Sequence, residues 1–470
     1  MSLQAILAIC GVTVIVSIFG LLGLWFPYLL AISLFLLGVS GSVFIVTVLK
    51  FQFSLKKIDY FHSVGRLLLI FILLFHAIHV FVPETGFDAL WYHLPLIQRY
   101  AEHHQLTYEA DFYQSLYPQF ADGVLLLGYS VSGVIGAKCV TYLFFLLLLA
   151  SSYHWLRSKL SSNDALTGTL VLSLFQVVGW QASSVYVDLI SSVFFLWASF
   201  ELVLGHAFCK WDKHFFIACI SAGVFFGSKF INLGFIPLFL FLTVVTLFGY
   251  TSEQSMRSRL TRLFVYWGVV ISLVLPWHVR AWWMSGIWLF PIGTVYAVPV
   301  ISQMGVTGWT EWFALRCGTV WRLPIDFFWH NDGYVSPLLL FFFPFALTQK
   351  TRSFATFLGI MIGLYGLFFW YFFPPPSTRY VLGLVIVFWI VIWQQTVLYA
   401  KSRPKVLLFV RSLAILNVTV FLLIRVFIST RTIPYLLGAE SQQQYLSRFK
   451  NGFLDEKLDQ FYSHFIIPHQ

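Results

Sequence analysis

The chain has 470 residues, 59% of them hydrophobic and only 10% charged, with a mean hydropathy of +0.82 and a formal net charge of +10. Soluble globular domains carry roughly 25% charged residues, so this composition excludes a water-soluble enzyme, and its hydrophobicity excludes intrinsic disorder. The 52 Phe, 22 Tyr and 18 Trp suit a chain solvated by lipid, and basic residues set in short loops between apolar runs point to membrane orientation, not nucleic acid.

Apolar runs able to cross a hydrocarbon core of about 30 Å occupy residues 4–24, 26–49 and 65–82. After a polar stretch they resume at 134–157, 164–181, 184–205, 213–228, 231–249, 263–279, 335–349, 353–373, 380–399 and 406–428. The pattern predicts an all-α polytopic membrane protein of about thirteen transmembrane helices. Residues 1–24 read as the first of these and not as a signal peptide, because Ile9 before Cys10 is bulky and no Lys or Arg precedes it. The run 118–132 begins at Pro118 and contains Asp122; it is short, and is expected to lie in the interface instead of crossing. The cysteines form no CxxC pair, so neither zinc nor a disulfide framework is suggested.

With a cytoplasmic N-terminus, inner loops and helix ends hold Lys50, Lys56, Lys57, Arg66, Arg157, Lys159, Lys210, Lys213, Arg257, Arg259, Arg262, Lys350, Arg352, Lys401, Arg403, Lys405 and Arg411, more than half of the 29 basic residues. That is the asymmetry of the positive-inside rule, and most acids fall on the other side. The expected organisation is a transmembrane hairpin with a basic cytoplasmic loop (1–64), a transmembrane core (65–428) with external loops 83–133 and 280–334, and an external tail (429–470). Inner loops are short and carry no P-loop or GxGxxG signature, so chemistry is expected outside and not driven directly by ATP.

The first external loop reads Pro83-Glu84-Thr85-Gly86-Phe87-Asp88-Ala89-Leu90-Trp91-Tyr92-His93-Leu94-Pro95. Pro95 suits the first turn of a helix, and Leu94, Ile97, Tyr100 and Ala101 then form an apolar stripe, giving an interfacial helix that holds Asp88 over a cavity. By spacing alone Asp88 reads equally as a turn or cap residue, and His93 as an interfacial histidine.

The string Asp88-Ala89-Leu90-Trp91-Tyr92-His93-Leu94-Pro95, so placed, resembles the GT-C glycosyltransferases, multi-span enzymes that use polyprenyl-phosphate sugars and include protein O-mannosyltransferases and lipid A aminoarabinose transferase. Later features keep the same order: Tyr117-Pro118, Tyr186-Val187-Asp188-Leu189, Gly227-Ser228-Lys229, Pro276-Trp277-His278-Val279-Arg280 and Arg379-Tyr380 all fall on the external side. The likeness covers roughly residues 65–400. It departs in the hairpin that precedes the core, and in Met284-Ser285-Gly286-Ile287-Trp288-Leu289-Phe290-Pro291, which replaces the usual Gly-Asn-Pro; the acceptor side therefore inherits no expectation.

The resemblance implies transfer of a sugar from a polyprenyl-phosphate donor, with inversion, to a glycan, lipid or protein acceptor on the extracytoplasmic side; nothing in the sequence resembles an endoplasmic-reticulum retention signal, so a bacterial plasma membrane is expected. Asp88 becomes the general base, a role favoured if burial raises its pKa. Lys229, Arg379, Arg280 and Lys138 become candidates for the donor phosphate, each also readable as a headgroup contact or a snorkelling side chain. Asp188 caps its helix, or helps shape the acidic site, or shares a divalent metal with Asp88 that His93 could join as a third ligand. Glu84 is an alternative base. His330-Asn331-Asp332-Gly333 is a turn signal or an acceptor contact. Two rivals remain: a lipid or sugar flippase, expected to carry midplane charges and inverted repeats, and a surface-polysaccharide polymerase or ligase.

Overall fold

The computed structural model describes residues 3–50, 60–250, 254–288, 309–329, 335–348, 353–373 and 376–449. His330–Gly333 and the tail beyond residue 449 lie outside the described residues. Among those described, every regular element is helical, as the apolar runs require when no water is present to satisfy an open backbone. The chain begins α1 (Leu3–Leu21), α2 (Pro27–Lys50), α3 (Tyr60–Ile78), α4 (Leu94–His103), α5 (Phe120–Arg157), α6 (Ser162–Ser173) and α7 (Gln176–Gln181). It continues through α8 (Asp188–Val203), α9 (His206–Cys209), α10 (Lys213–Phe226), α11 (Ile236–Tyr250) and α12 (Met256–Ser285).

Among the described residues nine helices are long and apolar enough to cross a membrane, and this is an integral membrane protein. The remaining apolar runs form shorter helices. Run 164–181 breaks into α6 and α7, 184–205 and 213–228 give α8 and α10, and 335–349 gives the helix Leu338–Thr348. α8 is buried along almost its whole length, between α5, α10 and the helix Leu382–Ala400. The span ending at Ala400 is 94% buried, and the neighbouring helix Pro404–Thr430 only 17%. The buried helix is locked by indole N–H groups: Trp389 donates to the Gly168 carbonyl (2.9 Å) and Trp393 to that of Asp164 (2.7 Å).

The run 118–132 is helical from Phe120. It forms the first arm of α5 and is buried in the protein, with Gly123 beside Ser17 of α1. Ser132 and Gly133 leave helical geometry, and the chain doubles back there. In a continuous helix residues 128 and 136 would stand about 12 Å apart; here a Cβ on Gly128 would overlap the Gly136 carbonyl. Two glycines thus let the arms touch backbone to backbone. The reversal lays the start of the second arm back along the first.

The N-terminal hairpin shares the main apolar core, with α1 and α2 against α5, and α1 against α10. It also grips the end of α4: Trp25 N–H donates to the His104 carbonyl (3.1 Å), and His104 Nδ1 meets the Trp25 carbonyl (2.9 Å). α4 forms where Pro95 and the apolar stripe predict it. Its Leu94, Ile97 and Tyr100 are buried, packed on α5.

Candidate active site

Asp88 sits at the end of the loop that leaves α3, and a second loop holds it in place. The Glu84 carboxylate accepts from the backbone N–H of Thr85 (2.9 Å) and Gly86 (2.8 Å) in its own loop. It also accepts from Ser184 Oγ (2.7 Å) and Val185 N–H (2.8 Å) in the loop before α8. Glu84 therefore joins the two loops and is committed to doing so. The Asp88 backbone N–H then donates to the Tyr186 hydroxyl (3.0 Å). Gly86 permits this approach, since a Cβ there would come within 2.5 Å of the Tyr186 ring.

The Asp88 carboxylate caps no helix. Its Oδ2 accepts from Arg379 Nη1 at 2.6 Å and, more distantly, from the Tyr92 hydroxyl at 3.4 Å. Arg379 precedes the helix Leu382–Ala400. Its guanidinium lies over the rings of Tyr186 (5.5 Å) and Tyr380 (4.9 Å) and donates to the Tyr380 hydroxyl (3.1 Å). A second acid–cation pair adjoins the first: Lys229 Nζ donates to Asp188 Oδ1 at 2.7 Å and lies 4.6 Å over the same Tyr380 ring. Asp188 stands in the first turn of α8 but caps nothing. Its Oδ2 is buried with no hydrogen-bond partner among the described residues. Four segments far apart in sequence thus place two carboxylates and two cations around shared tyrosine rings.

Burial pushes the Asp88 carboxyl up, but the charges of Arg379 and Lys229, with the hydrogen bond from Arg379, hold it below its ordinary range. The role of base is favoured if burial raises the carboxyl, and here two paired cations outweigh that desolvation. Tyr92 moves the other way. Burial, then the Asp88 charge, pushes its phenol well above the ordinary value, which keeps it a donor to the carboxylate.

The other predicted residues separate. Arg280 donates to backbone carbonyls of Ser115 (2.6 Å), Thr107 (2.8 Å) and Leu106 (3.3 Å), and so fastens the segment between α4 and α5 to α12. Lys138 is buried in α5 with its ammonium on the carbonyls of His79 and Val82, both at 2.8 Å. Both cations are taken up by backbone carbonyls and make no hydrogen bond to Asp88 or Asp188. His93 makes a short contact with Asp122 of α5 (Nδ1–Oδ1 2.6 Å), and its Nε2 is buried without a partner among the described residues. Asp88, His93 and Asp188 do not converge as metal ligands; among the described residues, the group that does is Glu201, His206 and His214. Sequence reasoning missed Tyr186, Tyr380 and Asp122 as site residues. The two tyrosines were nonetheless visible beside Asp188 and Arg379 in the same short motifs.

No family model matches the chain, and no curated protein matches its sequence. Solved structures do match its fold. The crystal structure of ArnT from Cupriavidus metallidurans in the apo state aligns with a TM-score of 0.54 and 13% identity, over 81% of this chain and 73% of that one. The same protein bound to undecaprenyl phosphate aligns with a TM-score of 0.50 and 13% identity, over 82% and 73%. At this identity the likeness shows the fold alone: the chain shares the all-helical architecture of those structures over most of its length.

Proposed function

We propose that this protein is a membrane glycosyltransferase that moves a sugar from a polyprenyl-phosphate donor to an acceptor hydroxyl, with Asp88 as general base. The observation that carries the reading is the pair of buried ion pairs, Asp88–Arg379 and Asp188–Lys229, brought together at tyrosine-lined helix ends. That ArnT has been solved with undecaprenyl phosphate supports a donor of that class. The acceptor oxygen attacks the anomeric carbon as the bond to the phosphate oxygen breaks, and attack opposite the leaving group inverts the centre. The proton passes to Asp88, while the electron pair leaves with polyprenyl phosphate.

The pairing also assigns a role to the lowered Asp88 pKa. Before the donor arrives, Arg379 neutralises Asp88 and the carboxylate is a poor base. A donor phosphate competes for Arg379 and Lys229 through charge-assisted hydrogen bonds. As it draws those cations away, the proton affinity of Asp88 rises toward the value a base needs. The reading places this site at the extracytoplasmic face of a bacterial plasma membrane, and it requires no metal at Asp88.

Titration of the purified protein with polyprenyl phosphate tests it. Arg379→Ala and Lys229→Ala should each weaken binding, whereas a substitution of Lys138, turned to the His79 and Val82 carbonyls, should act through stability alone. Unchanged affinity in both Arg379→Ala and Lys229→Ala would remove the phosphate from this cluster. A flippase would instead move the donor between leaflets without transferring its sugar.

A further inference from the structure

At the far end of α8 from Asp188 lies a second group of polar side chains that the glycosyl-transfer reading does not use. Glu201 falls thirteen residues after Asp188 on that helix, a rise of about 20 Å. Its carboxylate is buried at 2% exposure. The chain then turns through Gly205 (φ 75°) into α9, so that His206 comes back over Glu201. His214, in the first turn of α10, approaches from the other side, its backbone held by the Asp212 cap. The two imidazoles present Nδ1 to the same oxygen, Glu201 Oε2, at 3.3 Å from His206 and 2.8 Å from His214. Their ring centroids are 5.0 Å apart, and one ligand atom from each of the three residues lies within 4.8 Å of the others.

We propose that Glu201, His206 and His214 bind a single divalent ion of the zinc class. Ligand atoms about 2.0–2.1 Å from a tetrahedral zinc stand roughly 3.3 Å from one another, close to the two carboxylate–imidazole separations already present, 3.3 and 2.8 Å. Two imidazoles with one carboxylate favour zinc or a neighbouring transition metal over magnesium or calcium, which select oxygen ligands. Three protein ligands leave a fourth position. A cavity of about 320 Å³, lined by Glu201, His206 and His214 and also by Ser151, His154 and Ser158, adjoins the group and gives that position room. The ion would join α8, α9 and α10 at the end of the bundle opposite the Asp88 cluster.

The test uses the full chain, free of any histidine tag, purified in detergent and stripped with chelator. Titration with Zn²⁺ by calorimetry should give one ion per chain, and Co²⁺ should show the visible absorption of a four-coordinate ion. Loss of an outer-shell partner alone typically costs about 10–100-fold in affinity; His206→Ala and Glu201→Gln should each cost more than that. His206 is the cleaner variant because its side chain is 46% exposed, so the stripped variant should melt with the stripped wild type. Asp88→Asn should bind the ion as wild type does. Absence of saturable Zn²⁺ binding by the wild type would overturn the proposal, leaving the two histidines as partners of a buried carboxylate. So would His206→Ala binding with unchanged affinity.

Discussion

Asp88→Asn separates a catalytic carboxylate from a structural one, because the two roles predict opposite changes in two measurements. Asp88 and Arg379 meet at 2.6 Å with side-chain exposures of 7% and 14%. Deleting the carboxylate outright would leave a buried guanidinium without its counterion, a loss of about 3–5 kcal/mol. Asparagine keeps an acceptor oxygen in the same place. The cost then falls to the difference between a charged and a neutral acceptor, about 1–2 kcal/mol, and the protein should remain folded and abundant. Turnover should fall by about 10²–10⁴-fold, as on loss of a general base. Arg379 is no longer held by a carboxylate, so the affinity for polyprenyl phosphate should rise, by about tenfold if 1.4 kcal/mol of pairing is released. Turnover in proteoliposomes, with lipid-phosphate titration of the same preparation, reads both quantities. General damage to the site would lower both. Near-normal turnover would refute the assignment of the base, and weaker lipid-phosphate binding would refute the competition for Arg379.

Three further outcomes follow from the geometry. The Asp88 carboxyl is held below its ordinary range, so its contribution to stability is fully present above an unfolded value of about 3.9 and is lost as pH falls through the lower folded value; the melting gap between wild type and Asp88→Asn should hold from neutral pH to about pH 5 and close only in stronger acid. Gly86→Ala sets a methyl 2.5 Å from the Tyr186 ring and 2.8 Å from Ser184 Oγ; it should cost about 1–3 kcal/mol in thermal or denaturant unfolding and depress turnover further, by displacing the hydroxyl that holds the Asp88 backbone. Reporter fusions at residues 110 and 310 should report the external side and a fusion at 210 the cytoplasmic side; matching signals at 110 and 210 would mean that the reversal in α5 had been misread.

The sequence by itself determined the membrane class, the apolar runs and the short motifs that carry Asp88, Asp188, Lys229 and Arg379, because these are local properties of composition and position. Pro95 and the stripe of Leu94, Ile97 and Tyr100 likewise placed α4 through spacing alone. Tertiary structure decided which charges meet. Lys138, Arg280, Lys229 and Arg379 look alike as cations near external helix ends, yet two reach carboxylates and two are taken by backbone carbonyls. Asp88 and Arg379 are 291 residues apart, and no periodicity links them. Burial was equally hidden, since a helix apolar all round is compatible with lipid and with protein, and only packing put Leu382–Ala400 at the centre and Pro404–Thr430 at the rim. The backbone contact of Gly128 with Gly136 was also out of reach: an apolar run carries no local signal that its second half will turn back along its first. The pKa of Asp88 comes last in this order, because burial and counter-charge act in opposite directions and only the assembled site fixes which prevails.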